Sequence, residues 1–162
     1  MQLTRYTDYS LRVLIYLAIQ DEGVRVTVSE IAEHFEIPKN HLVKVVHHLG
    51  KLDYLKTTRG KNGGVCLAKK PADLGVGDII RNMETSFQMV DCQAPAPCPI
   101  IPVCLLPRIL SAAREAFLGV LDQYTIADLL RQQDQLKSLL GTGGFFEKYE
   151  QIKSIAIESP AK

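Results

Sequence analysis

Residues 27–67, TVSEIAEHFEIPKNHLVKVVHHLGKLDYLKTTRGKNGGVCL, carry the reading of the fold. Thr27-Val28-Ser29-Glu30 sets a hydroxyl three residues ahead of a carboxylate, the reciprocal pattern that caps a helix N-terminus. It opens a short helix whose apolar face is Val28, Ile31, Ala32 and Phe35. Glu36-Ile37-Pro38 then turns the chain, with the proline suited to the first turn of the next helix. In that helix Leu42, Val45, Val46 and Leu49 recur at the helical period and predict the buried face. Lys39, Asn40, His41, Lys44, His47, His48 and Lys51 fall opposite. Two short, tightly linked helices, the second presenting basic and amide side chains, make the pattern of a helix-turn-helix. From Tyr54 to Leu67 two short strands flank Arg59-Gly60-Lys61-Asn62-Gly63-Gly64, a glycine-rich basic hairpin tip. Helix-turn-helix plus basic hairpin is a winged helix. Cys66 falls on a strand position that reads as buried and is expected to serve as a small hydrophobe.

Outward from this stretch the chain reads as mainly α. Leu11, Leu14, Ile15 and Ala18 predict a first helix over 9–19, and a fourth helix is expected over 76–84. Residues 92–106 hold Pro95, Pro97, Pro99 and Pro102 and no charge, so they predict an irregular loop. Helix resumes over about 106–123, some 27 Å at the usual rise, with Pro107 in its first turn. Leu106, Leu110, Ala113, Phe117, Val120 and Tyr124 alternate steps of four and three along it, a heptad-like seam that predicts a dimerisation helix. Thr125-Ile126-Ala127-Asp128 caps one more helix. The expected division is 1–85 as winged helix, 86–104 as cysteine loop, 105–140 as dimerisation helix with the short helix after it, and 141–162 as tail.

Bulk properties narrow the function. Net charge is only +1, yet residues 39–70 hold eight Lys/Arg against Asp53 alone. A basic stripe on a near-neutral chain suits nucleic acid, though a solvated face would look the same. Lys39, Asn40, His41 and Lys44 stand at the start of the recognition helix, where base edges are read. Arg59 and Lys61 on the wing are placed for phosphates or the minor groove. The polar start MQLTRYTDYS has no signal-peptide core, and no apolar run reaches membrane-spanning length. A cytoplasmic chain with reduced thiols is expected. The sequence has no G-x-S-x-G, phosphate-binding loop or H-E-x-x-H, so nothing supports an enzyme.

Cys92, Cys98 and Cys104 lie six residues apart, a C-x5-C-x5-C run. Thiolates are the usual holders of iron–sulfur clusters. Two five-residue gaps give a loop ligand set its slack, and the prolines limit the entropy lost on ordering. Ile100, Ile101, Val103 and Leu105 are candidates to exclude water. Structural zinc prefers C-x2-4-C spacing and fits less well. Thiol redox sensing and inert burial stay open.

Leu3-Thr4, Tyr6-Thr7-Asp8-Tyr9, the wing RGKNGG and the three cysteines together resemble the winged-helix iron–sulfur repressors that include the NsrR and IscR types. The likeness spans about residues 1–140 and is nearest the nitric-oxide-sensitive type. It implies a homodimeric repressor on a palindromic DNA operator, one cluster per subunit, and nitric oxide as effector. It also implies a [4Fe-4S] cluster on Cys92, Cys98 and Cys104, with Asp8 of the partner chain as fourth ligand. The alternative is a regulator of cluster assembly or redox response with a [2Fe-2S] cluster. That type has a histidine three residues after the last cysteine, where this chain has Pro107. Asp8 also stands four residues before Arg12, close enough on one helix face to pair with it once free of iron.

Overall fold

The computed structural model describes residues 2–60, 63–93 and 95–140. The elements run α1 (Arg5–Ala18), α2 (Val28–Phe35), α3 (Lys39–Lys51), β1 (Leu55–Thr58), β2 (Gly64–Leu67), α4 (Val76–Met83), α5 (Leu106–Leu121) and α6 (Gln133–Leu140). The architecture is the expected one, helical with, among the described residues, a single antiparallel hairpin of register Leu55↔Leu67 to Thr58↔Gly64.

The capping box at α2 forms as read. Thr27 Oγ1 accepts from the Glu30 amide at 3.2 Å, and the Thr27 amide donates to the Glu30 carboxylate at 2.6 Å. That backbone donor holds the Glu30 carboxyl below its ordinary value. Helix α2 ends at Glu36, whose left-handed φ of 52° lets the Ile37 amide reach the Ala32 carbonyl at 3.0 Å. A non-glycine residue there costs about 1 kcal/mol, offset by burial of Ile37 beyond the turn. Pro38 is the N-cap of α3 and not its first helical residue. The chain reaches the helix in extended geometry, which a proline's fixed φ supplies before the first turn as well as within it.

All four expected core residues of α3, Leu42, Val45, Val46 and Leu49, are buried. In α2 only Ile31 and Ala32 are; Val28 and Phe35, at the helix ends, are partly buried against the same cluster. Helix α1 begins four residues earlier than its apolar pattern, because Thr4 caps it by accepting from the Thr7 amide at 3.3 Å. Its inner face also differs from expectation. Val13, Leu14, Tyr16 and Leu17 are buried, with Thr7 and Ser10, while Leu11 and Ile15 are only partly covered. The two buried hydroxyls are satisfied locally, Ser10 Oγ donating to the Tyr6 carbonyl at 2.8 Å.

A third segment pairs with β2. Val26 and Val65 exchange backbone bonds at 3.0 and 2.8 Å. A side chain at Gly64 would stand 2.9 Å from the Val26 carbonyl oxygen, and Gly60 has φ +99°, so both positions require glycine. In β2 Val65 is the buried residue, and Cys66 is half-buried. The expectation for Cys66 is corrected by the strand's period of two, which turns it away from the side that Val65 packs against.

The chain leaves the winged helix after α4 and returns beside it. The Val76 amide donates to the Tyr124 carbonyl at 2.9 Å and the Ile126 amide to the Leu74 carbonyl at 2.8 Å. Arg81 clasps Asp122 through two bonds of 2.5 and 2.6 Å, which hold that carboxyl below its usual range. Helix α5 ends at Leu121, about 24 Å long. The single helix expected after Thr125 is a 3-10 turn, Ala127–Leu130, followed by α6. Asp128 bonds back to both the amide and the hydroxyl of Thr125 and tightens that first turn. The tail 141–162 lies outside the described residues.

Thr27→Ala removes the acceptor of the capping box and is expected to lower the unfolding free energy by about 1 kcal/mol, measured by urea denaturation at neutral pH. The Glu30 carboxyl is depressed on folding, first by the Thr27 amide and then by the Thr27 side chain, so its contribution is complete above the unfolded value and fades as pH falls through the folded one. Thr27→Ala keeps the amide donor and loses only the side-chain share, so its difference from wild type should shrink only slightly in acid.

Candidate functional site

Helix α3 stands on the domain with its core face down. Lys39, Asn40, His41, Lys44, His47 and Lys51 are all exposed on the other side. The structure thus brings four of the expected DNA-contacting side chains onto one helical surface. Val43 is 48% exposed among them. The helical period that picked out Leu42, Val45, Val46 and Leu49 left Val43 unassigned. Arg59 is exposed at the wing tip, while Lys61 lies outside the described residues.

His48 is the exception on this surface: it is half-buried and turned toward α1. The Tyr6 hydroxyl donates to the Lys44 carbonyl at 3.2 Å and lies 3.1 Å from His48 Nδ1. A carbonyl only accepts, so the single phenolic proton is committed and Nδ1 must carry its own. Burial raises the Tyr6 phenol, which keeps it a donor. One turn on, the Tyr9 ring lies 6.3 Å from that of His41. Two tyrosines of α1 therefore brace the recognition helix along its length.

Between those tyrosines stands Asp8. Both its carboxylate oxygens accept from Arg12 Nε at 3.0 Å, as the spacing of four predicts. The guanidinium carbon of Arg12 also sits 5.8 Å from the centre of the Phe35 ring on α2.

The cysteine loop begins at Glu84 and is held by its own backbone. The Cys98 amide donates to the Cys92 carbonyl at 2.9 Å, and the Ile101 amide to the Cys98 carbonyl at 3.2 Å. A 3-10 turn, Ile101–Val103, then closes with the Cys104 amide on the Ile101 carbonyl at 3.3 Å. That turn is more regular than four prolines suggested, since Pro102 sits inside it, where no proline donor is needed. Cys92, Cys98 and Cys104 are free and half-buried. The expected shield is not a shield within one chain: Val103 is 82% exposed, and Ile100 and Leu105 are exposed too. Among the described residues no three Cys, His, Asp or Glu side chains gather closely enough to hold a metal ion, so Cys92, Cys98 and Cys104 do not converge in the single chain and Asp8 does not join them. The donor chemistry fits an iron–sulfur group, three unpaired thiols on one backbone-tied loop, but leaves the set incomplete.

The seam of α5 is open. Leu106, Ala113, Val120 and Tyr124 are exposed, Leu110 and Phe117 half-covered, and only Leu118, on another side, is buried. No helix among the described residues is long and apolar enough to cross a membrane.

The profile of the Rrf2 family, described as iron-dependent transcriptional regulators, matches residues 3–132. Three curated relatives, each called HTH-type transcriptional regulator NsrR, cover 86% of this chain. That of Bacillus licheniformis is 46% identical with 99% of its length matched. Those of Geobacillus kaustophilus and Bacillus subtilis are 48% and 44% identical, each with 97% matched. Among solved structures, T. potens IscR superposes with a TM-score of 0.67 at 25% identity, over 85% of this chain and 91% of that one. CymR of B. subtilis, titled the global cysteine regulator, superposes at 0.60 and 27% identity, over 80% and 95%.

Tyr6→Phe deletes the hydroxyl shared by Lys44 and His48. A loss of about 1 kcal/mol is expected, with faster amide exchange in the middle of α3. Unchanged exchange would mean that the core face alone positions the recognition helix.

Proposed function

The chain belongs to the Rrf2 family of iron-dependent transcriptional regulators, and from that premise we propose a homodimeric repressor whose hold on a palindromic operator is set by an iron–sulfur cluster sensitive to nitric oxide. It is a transcriptional regulator and not an enzyme. The observation that carries the finer reading is the set of three free, half-buried thiols on one tied loop, in a family described as iron-dependent.

Cys92, Cys98 and Cys104 would hold the cluster, proposed as [4Fe-4S], and Asp8 of a second copy would complete it. Three thiols are one donor short of the four corners of such a cluster, which favours a ligand from elsewhere, and the open α5 seam favours a second copy as its source. When bound, the cluster would supply iron open to nitric oxide. Asp8 would contribute a weaker, more exchangeable donor than a thiolate, and its carboxylate pairs with Arg12 when it holds no iron. Lys39, Asn40, His41 and Lys44 would read bases, with Arg59 and Lys61 on the backbone. Residues 1–85 would serve as the DNA-binding unit, 86–104 as the sensing loop, 105–140 as the dimerisation unit, and 141–162 as a tail. The similarity to T. potens IscR favours a second reading, a regulator of cluster assembly or redox response on a [2Fe-2S] cluster. Pro107, where that type has histidine, weighs against it.

Anaerobic purification with an absorbance spectrum, followed by nitric oxide titration against operator binding, tests the proposal. A brown protein that releases operator on adding nitric oxide is expected; a brown protein indifferent to it would favour the second reading. Cys98→Ala, purified the same way, should lose its iron and sulfide, and full retention would refute the ligand set. Arg59→Ala should lower the slope of log affinity against log salt by about 0.9, whereas an unchanged slope and affinity would remove Arg59 from the interface.

A further inference from the structure

We infer that Glu84 is the positioning residue that ties the cysteine loop to the recognition helix of its own subunit. Glu84 ends α4 with its amide on the Ile80 carbonyl at 2.9 Å, then turns extended and starts the loop. Its Oε1 accepts from the Thr4 amide at 2.7 Å and from the Thr4 hydroxyl at 3.1 Å, across eighty residues of sequence. Thr4 is the N-cap of α1. Glu84 therefore acts as a second cap from outside the helix, placing a negative charge at its positive end.

The proton directions are set by this contact. The Thr4 hydroxyl has one proton, and a carboxylate can only accept, so that proton goes to Glu84. Thr4 Oγ1 is then an acceptor toward α1, taking the Thr7 amide at 3.3 Å and the Thr7 hydroxyl at 3.2 Å. Thr7 is fully buried, and this direction satisfies it without water. From the same first turn, Tyr6 reaches the Lys44 carbonyl and His48 on α3. The first turn of α1 is thus gripped on one side by the start of the cysteine loop and on the other grips the recognition helix. Leu3, Phe87 and Met89 line the crevice beside the clamp, so the loop's first residues and the chain's first residues share one surface. A change in the loop that pulls on Glu84 moves the cap, and with it the tyrosine that braces α3.

The inference rests on the proposed control of DNA binding by iron, and the test separates the two. Operator affinity is measured by fluorescence anisotropy for iron-loaded and iron-free protein, alongside iron content and, in the iron-free protein, amide exchange over residues 5–10. Wild type is expected to show a ratio in the range of about 5- to 150-fold usual for coupled sites. Glu84→Ala should keep its iron, exchange faster in the first turn, and bring the ratio to within about threefold of one. Glu84→Gln, whose amide oxygen can accept both bonds, should restore it. Thr4→Val keeps the amide bond, loses the hydroxyl bond and should show a reduced ratio, which provides the test if Glu84→Ala does not fold. A Glu84→Ala protein with the full wild-type ratio would overturn the coupling role, as would loss of iron, which would place Glu84 in the iron site's own support. A wild-type ratio of one would instead overturn the functional reading beneath it.

Discussion

The winged helix is assembled around α1. Its buried residues Val13, Leu14 and Leu17 sit in the cluster shared with α3, the wing and the turn that follows α5, and the helix packs directly on α3, α4, β2 and that turn. Each such side chain contributes about 1.5–3 kcal/mol by leaving water. The constraint has a second effect. A helix held on one face by apolar packing is free to use its remaining positions for polar contacts. Thr4, Tyr6, Asp8, Tyr9 and Arg12 spend theirs on Glu84, α3 and one another.

The fold was legible where apolar periodicity and local capping carry the information. The four inner residues of α3 and the capping box of α2 stand as the sequence pattern places them. Apolar pattern failed where polar groups are buried. Thr7 and Ser10 lie on the inner face of α1, so a search for hydrophobic residues starts the helix too late and rotates its face. The hairpin was recognisable from its glycines, but four-residue strands leave little alternation to decide whether Val65 or Cys66 points inward.

The candidate site divides in the same way. For the cysteine loop, composition and spacing point to a metal-binding thiol set, and the family's description as iron-dependent supports that reading. Its geometry does not show there, since a loop takes its shape from backbone bonds such as Cys98 to Cys92 that no residue type announces. The same holds for Glu84: nothing local marks a glutamate at a helix end as the cap of another helix eighty residues away. His48 shows the reverse case, a basic residue on an outward-reading helix that its neighbour Tyr6 draws inward.

The backbone rungs at Leu74–Ile126 and Val76–Tyr124, with the Arg81–Asp122 clasp beside them, have a consequence for how such a protein diversifies. They close the base of the excursion that carries the loop and α5, so its two ends meet whatever lies between. Doubling the length of a closed loop costs only about 0.6 kcal/mol. The excursion can therefore change in length and outer surface without parting its two ends, while the winged helix keeps its packing.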